Sequence, residues 1–128
     1  MTISSDEYGN LRRLNRDVST QLDFTASTDD TTLITSKASH KIWVQRIVVT
    51  IKTSTTASMT FEDSDATPLY VAKIPGSPGA DTHWQFDFGA VGKPLTEAKN
   101  LVMNVSATGL AGHLQVEAYM RQSSTVAV

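Results

Sequence analysis

Residues 41–52 read KIWVQRIVVTIK, and this run decides the fold. Six of its twelve residues are Ile or Val, whose β-branched side chains suit a strand and resist a helix. Trp43, Ile47, Val49 and Ile51 share one parity, while Ile42, Val44 and Val48 share the other. A strand apolar on both parities is either covered on both faces or carries a bulge that switches its phase.

Working outward, the chain reads as short strands separated by turn residues. Toward the N-terminus, residues 21–26 place Leu22 and Phe24 on one face, and residues 31–35 form a β-branched run after Asp29-Asp30. Toward the C-terminus, residues 57–62 pair Met59 with Phe61, and residues 68–74 pair Leu69 with Val71. The prolines and glycines of residues 75–79 (PGSPG) require a loop. Residues 83–88 alternate cleanly, with Trp84, Phe86 and Phe88 facing one way and His83, Gln85 and Asp87 the other. Leu101, Met103 and Val105 form the next inward set, followed by Leu114, Val116, Ala118 and Met120. The expectation is an all-β domain: an antiparallel two-sheet β-sandwich of jelly-roll type with about eight strands, spanning residues 20–122. The segment 123–128 reads as a frayed tail.

Composition narrows function by exclusion. A chain of 128 residues is one domain, and 40% hydrophobic content fills its core without staples. A net charge of −2 gives no electrostatic reason to bind nucleic acid. With no cysteine, the chain offers no disulfide, thiolate metal site or thiol nucleophile. No run approaches the ~18 apolar residues of a membrane span, and the first residues lack the apolar core of a signal peptide. The protein is therefore expected in the cytoplasm where it is made, until it joins something larger.

Residues 1–19 differ from the rest: polar, charge-dense and only weakly periodic. They read either as a terminus without fixed structure or as an arm that orders on a partner. Leu11, Leu14 and Val18 are spaced as one helical face, with Arg12, Arg13, Arg16 and Asp17 between them. If the arm meets a partner, Tyr8, Leu11, Arg12, Arg13, Leu14 and Arg16 are the residues expected at the contact. Tyr70, Ile74 and Tyr119 have outward parity and are further candidates for contact between subunits.

Each candidate for chemistry has a plainer reading. His40, His83 and His113 lie in separate strands and read as surface residues, since zinc requires at least three converging ligands. Glu62, Asp63 and Asp65 could offer oxygens to calcium but read first as a solvated turn. A glycosidase needs a facing carboxylate pair, but Glu62, Glu97 and Glu117 each lie at a strand edge or outward position and read as surface carboxylates, and no G-x-S-x-G elbow occurs. A cupin-like site would need inward His and Glu, whereas His83 and His113 have outward parity. Trp43, Trp84 and Tyr70 could form a sugar-stacking platform, but the parities of both tryptophans read as core. The expectation is a non-enzyme with no cofactor and no metal.

The order of segments adds a resemblance. KIWVQRIVVTIKTSTTASMTFED, a Pro/Gly loop, THWQFDFG and then NLVMNVSATGLAGHLQVEAYMR together resemble small jelly-roll virion proteins of tailed bacteriophages, of the capsid decoration (cement) or head-fibre type. The likeness covers about residues 31–121 and rests on strand order and texture. LVMNVSATGLAGHLQVEAY resembles the last hairpin of such domains. The resemblance implies a structural virion protein on the capsid surface that binds the major capsid protein and itself, as a homotrimer, and reinforces the shell. It also implies that the N-terminal arm lies along that shell. The alternative is a receptor- or carbohydrate-binding module of a phage tail or fibre.

Overall fold

The apolar run at residues 41–52 lies within the longest of the described strands. A computed structural model describes residues 18–25, 30–53, 57–76, 79–107 and 109–122. Among the described residues the strands, in chain order, are β1 (Thr20–Thr25), β2 (Thr31–Ile34), β3 (His40–Thr53), β4 (Met59–Asp63), β5 (Tyr70–Ile74), β6 (Thr82–Asp87), β7 (Lys93–Pro94), β8 (Leu101–Val105) and β9 (Ala111–Gln122). The two-residue β7 is the strand that turn signals alone did not anticipate.

The bulge reading of β3 is the correct one. Its register against β9 jumps between Val44 and Arg46, leaving Gln45 outside the ladder. Before the jump Ile42 and Val44 face the core; after it Ile47, Val49 and Ile51 do, and all five are fully buried. One extra residue reverses the alternation of everything beyond it. The consequence corrects one expectation. Trp43 shares parity with Ile47 but lies on the other side of the bulge, so it sits half-buried on the outer face instead of in the core.

The strands form two antiparallel sheets, ordered β1-β9-β3-β6 with β7 also on β3, and β2-β8-β4-β5. With β7 set aside the pairings nest. First pairs with last, second with next to last, β3 with β6, and β4 with β5 as the central hairpin. That is one long hairpin folded over into two layers, the winding of a jelly roll. The core between the layers takes Phe24, Leu114, Val116 and Ala118 from one sheet and Ile34, Met59, Phe61, Leu101, Met103 and Val105 from the other. Burying a side chain of this size stabilises by about 1.5–3 kcal/mol.

Trp84, Phe86 and Phe88 pack against this core as expected, but only partly buried; among the described residues β6 has β3 as its one ladder neighbour. In β5 a register shift brings Val71 inward beside Ile74. Ile74 is therefore fully buried and not a contact residue, whereas Leu69, expected inward, is exposed and Tyr70 projects into solvent at 62% exposure.

Upstream of β1, the Val18 N–H donates to the Ala118 carbonyl (3.3 Å) and the Ala118 N–H donates to Ser19 Oγ (3.3 Å). Val18 packs against the sandwich core and does not continue a helical face. The expectations for Tyr8, Leu11, Arg12, Arg13, Leu14 and Arg16, and for the tail at 123–128, lie outside the described residues.

Candidate binding surface

The alternation that buries one face of the first sheet sets polar and aromatic side chains on the other. Cross-strand register arranges them in rows. At one end Arg121 lies opposite Lys41. Then come Tyr119 opposite Trp43, which meets Pro94; Glu117 opposite Arg46 opposite Asp87; Gln21, Gln115, Val48 and Gln85; and Asp23, His113, Thr50 and His83.

The aromatic row is ordered by stacking. The Trp43 and Tyr119 rings lie parallel, 2° apart in plane with centroids 6.0 Å apart, and the Arg121 guanidinium sits 4.9 Å from the Tyr119 ring centre. The Tyr119 hydroxyl donates to the Val91 carbonyl at 2.5 Å, tying the 89–92 loop to the sheet. Burial pushes the Tyr119 phenol up, with the Arg121 charge pulling against it. Tyr119→Phe is expected to cost about 1 kcal/mol, the worth of one such bond, read as a lower melting temperature with the stack intact by near-ultraviolet circular dichroism.

At the other end the histidines have company that sequence did not show. Thr50 lies between His113 and His83, and its hydroxyl is 3.2 Å from His83 Nδ1. His113 Nδ1 is 2.9 Å from Asp23 Oδ1, and Lys52 Nζ is 3.6 Å from the same oxygen. The His113 hydrogen bond and then the Lys52 charge hold the Asp23 carboxyl below its ordinary value. These groups are solvent-exposed, and such pairs contribute little to stability.

The acidic turn is structural. Asp63 is 1% exposed. Its Oδ1 accepts from the Asp65 and Leu69 N–H groups (3.2 and 3.0 Å) and its Oδ2 from the Thr96 N–H (3.0 Å). Asp65 pairs with Lys99 at 3.6 Å. Ser64 continues the knot: its N–H donates to the Asn100 carbonyl (3.0 Å) and the Asn100 N–H donates to Ser64 Oγ (2.9 Å). No group of three or more His, Cys, Asp or Glu among the described residues could hold a metal ion. Glu62 and Glu117 lie on the two opposite outer faces of the sandwich, so they cannot act as a facing pair.

The proposed sugar platform does not assemble either. Trp43 is on the outer face of the first sheet, Trp84 on its inner face, and Tyr70 on the second sheet. What sequence reading missed is the group beside the aromatic row. Gln45, Arg46, Asp87, Gly89, Ala90 and Glu117 line a pocket of about 340 Å³. The signal for it was visible as a polar Gln-Arg pair interrupting an apolar strand.

No protein-family model and no curated protein matches the sequence. Among solved structures the chain is similar to a protein of Bacillus endospore appendages, a novel family of disulfide-linked pili. The identity is 14%, over 83% of this chain and 86% of that one, with a TM-score of 0.49. Fold and surface together define a jelly-roll β-sandwich with an ordered aromatic and polar outer face.

Proposed function

We propose that this protein is a structural subunit of a larger particle, of the bacteriophage capsid decoration kind that its strand order resembles. In this reading it binds and stabilises a shell as a homo-oligomer, a trimer being the form the resemblance implies. Its partners are the major capsid protein and further copies of itself. It works without catalysis or cofactor, is made in the host cytoplasm and ends on the capsid surface.

The observation that carries this reading is the Trp43–Tyr119–Arg121 stack on the outer face of the first sheet, with Trp43 half-buried and Tyr119 9% exposed. Trp, Tyr and Arg are the residues that dominate binding energy at protein interfaces, particularly where a polar rim excludes water around them. A weak patch of this size becomes effective when symmetry repeats it around a shell.

The test is co-sedimentation of the purified protein with bare shells, with light scattering to give its oligomeric state. The wild-type protein is expected to sediment with shells, and Trp43→Ala to weaken binding by about 2 kcal/mol, roughly thirtyfold. A strictly monomeric protein that never sediments with shells would end the proposal. For the arm, the variant to use lacks residues 1–17, because Val18 and Ser19 belong to the sandwich. Full binding by that variant would remove the arm from the mechanism and leave the sheet face.

A further inference from the structure

We propose that two copies of this chain pair edge to edge through β6, joining their first sheets into one continuous sheet across a two-fold axis at Gln85. The contact uses a sheet edge and not the outer face, and it stands whether or not the protein decorates a shell.

A sheet that ends in an open strand offers a row of backbone donors and acceptors to another chain. Among the described residues, β1 and β6 end the first sheet and β2 and β5 the second. β2 and β5 are blunted by register shifts, and β5 also by the exposed Lys73. β1 carries Asp23 in its middle, and its Phe24 is already buried. β6 has no bulge, proline or lysine, and its six residues run in unbroken register against β3.

The uncovered apolar surface lies on the same side of the sandwich. Trp84, Phe86 and Phe88 are only half-buried on the inner face of β6. Among the described residues the large hydrophobic side chains that stand exposed are Leu69 and Tyr70, where β5 begins, and Val91, in the loop after β6. β5 and β6 end their two sheets on one side in the nested order. A second β6 edge brings the same apolar inner face with it.

The backbone fixes which residues meet. The Phe88 N–H donates to the Gln45 carbonyl at 2.8 Å, in continuation of the β3–β6 ladder. Successive residues point their backbone groups to opposite edges, so Trp84, Phe86 and Phe88 address β3. His83, Gln85 and Asp87 aim theirs at the open edge, and these same residues hold their side chains outward and exposed. Two such strands pair antiparallel with Gln85 opposite Gln85 and His83 opposite Asp87 on either side of the axis. Each of these facing pairs exchanges two backbone hydrogen bonds.

The side chains agree with that register. An imidazole meets a carboxylate twice, two amides meet at the axis, and Trp84 meets Phe86 twice on the inner side. His83 Nδ1 is engaged by the Thr50 hydroxyl at 3.2 Å and Asp87 Oδ1 by the Gly89 N–H at 2.9 Å, so Nε2 and Oδ2 are the atoms that face each other between copies. Sliding one strand by two residues parts the charges. In one direction Asp87 comes opposite Asp81, and in the other His83 comes opposite Gly89.

The test is sedimentation velocity of the full-length protein at about 100 µM, a concentration at which copies that pair with micromolar affinity stay together. Gln85→Lys sets two ammonium groups against each other at the axis and is expected to halve the wild-type mass, with the melting curve reporting that the variant is folded. Gln21→Lys, at the matching outward position of β1, is expected to leave the mass unchanged. The chain has no cysteine, so Gln85→Cys reports the contact directly. Cα atoms facing each other at the axis lie about 5.5 Å apart, within disulfide reach. Mild oxidation is expected to link Gln85→Cys into a covalent dimer at least about tenfold faster than Gln21→Cys. A monomeric wild-type protein, an unchanged mass in folded Gln85→Lys, or equal cross-linking of the two cysteine variants would each overturn the proposal. If Gln85→Lys does not fold, the cysteine comparison decides.

Discussion

Gly112→Ala is expected to destabilise the protein by about 3–5 kcal/mol, the upper end for a single substitution. Gly112 lies in β9 opposite Ile51 of β3 and Phe24 of β1. A Cβ there would overlap the Thr50 carbonyl oxygen and come within 3.2 Å of the Ile51 Cα. These are backbone atoms of the central strand pair, so no side-chain rotation relieves the overlap. The glycine is required for space, not for its dihedral freedom. Gly89→Ala is the control: its φ is +82° but nothing lies within 4 Å of an added Cβ, so the expected cost is about 1 kcal/mol. Urea denaturation of the three proteins compares them directly. A Gly112→Ala variant no weaker than Gly89→Ala would show that the register joining β3 to β9 is wrong.

Asp63→Ala is expected to cost about 3–5 kcal/mol at neutral pH, since it strands three backbone N–H groups at about 1–3 kcal/mol each. The same side chain sets an acid limit. Burial pushes the Asp63 carboxyl up, but the hydrogen bonds from Thr96, Leu69 and Asp65 outweigh it and hold it below its ordinary value of 3.8. A carboxyl with a depressed folded-state value favours the folded protein fully above the unfolded value. That advantage fades as pH falls from about 4 through the folded value. Wild-type stability is therefore expected to drop as pH falls below about 4, with a shallower drop in Asp63→Ala. Equal acid slopes in the two proteins would assign the acid sensitivity to other carboxylates.

Much of the architecture could be read from periodicity because a half-buried strand writes its own face. Met59 with Phe61, Leu101 with Met103 and Val105, and the inward set from Leu114 to Met120 all fall as their alternation indicates. Reading failed where the register slips. Trp43 and Ile74 were misplaced because parity carried through a bulge gives the wrong face, and a bulge costs one residue that looks like any other. The outer-face group was illegible for a different reason. Arg46, Asp87 and Glu117 come from three strands far apart in sequence, and only sheet order makes them neighbours. The buried role of Asp63 was hidden because its partners, Leu69 and Thr96, lie in loops whose path no periodicity predicts.

The nested pairing also governs how the molecule comes into being. Phe24 meets Gly112 and Thr20 meets Val116, so the first strand waits for the last before the larger sheet is complete. A nascent chain emerging from the ribosome can close the β4–β5 hairpin early, but β3 lacks its long partner until residues near 120 are free. Folding is thus dominated by contacts between segments distant in sequence, which places it among the slow-folding β topologies. In the interval β3 is exposed as a long apolar ribbon, the segment most prone to pair with another unfinished copy.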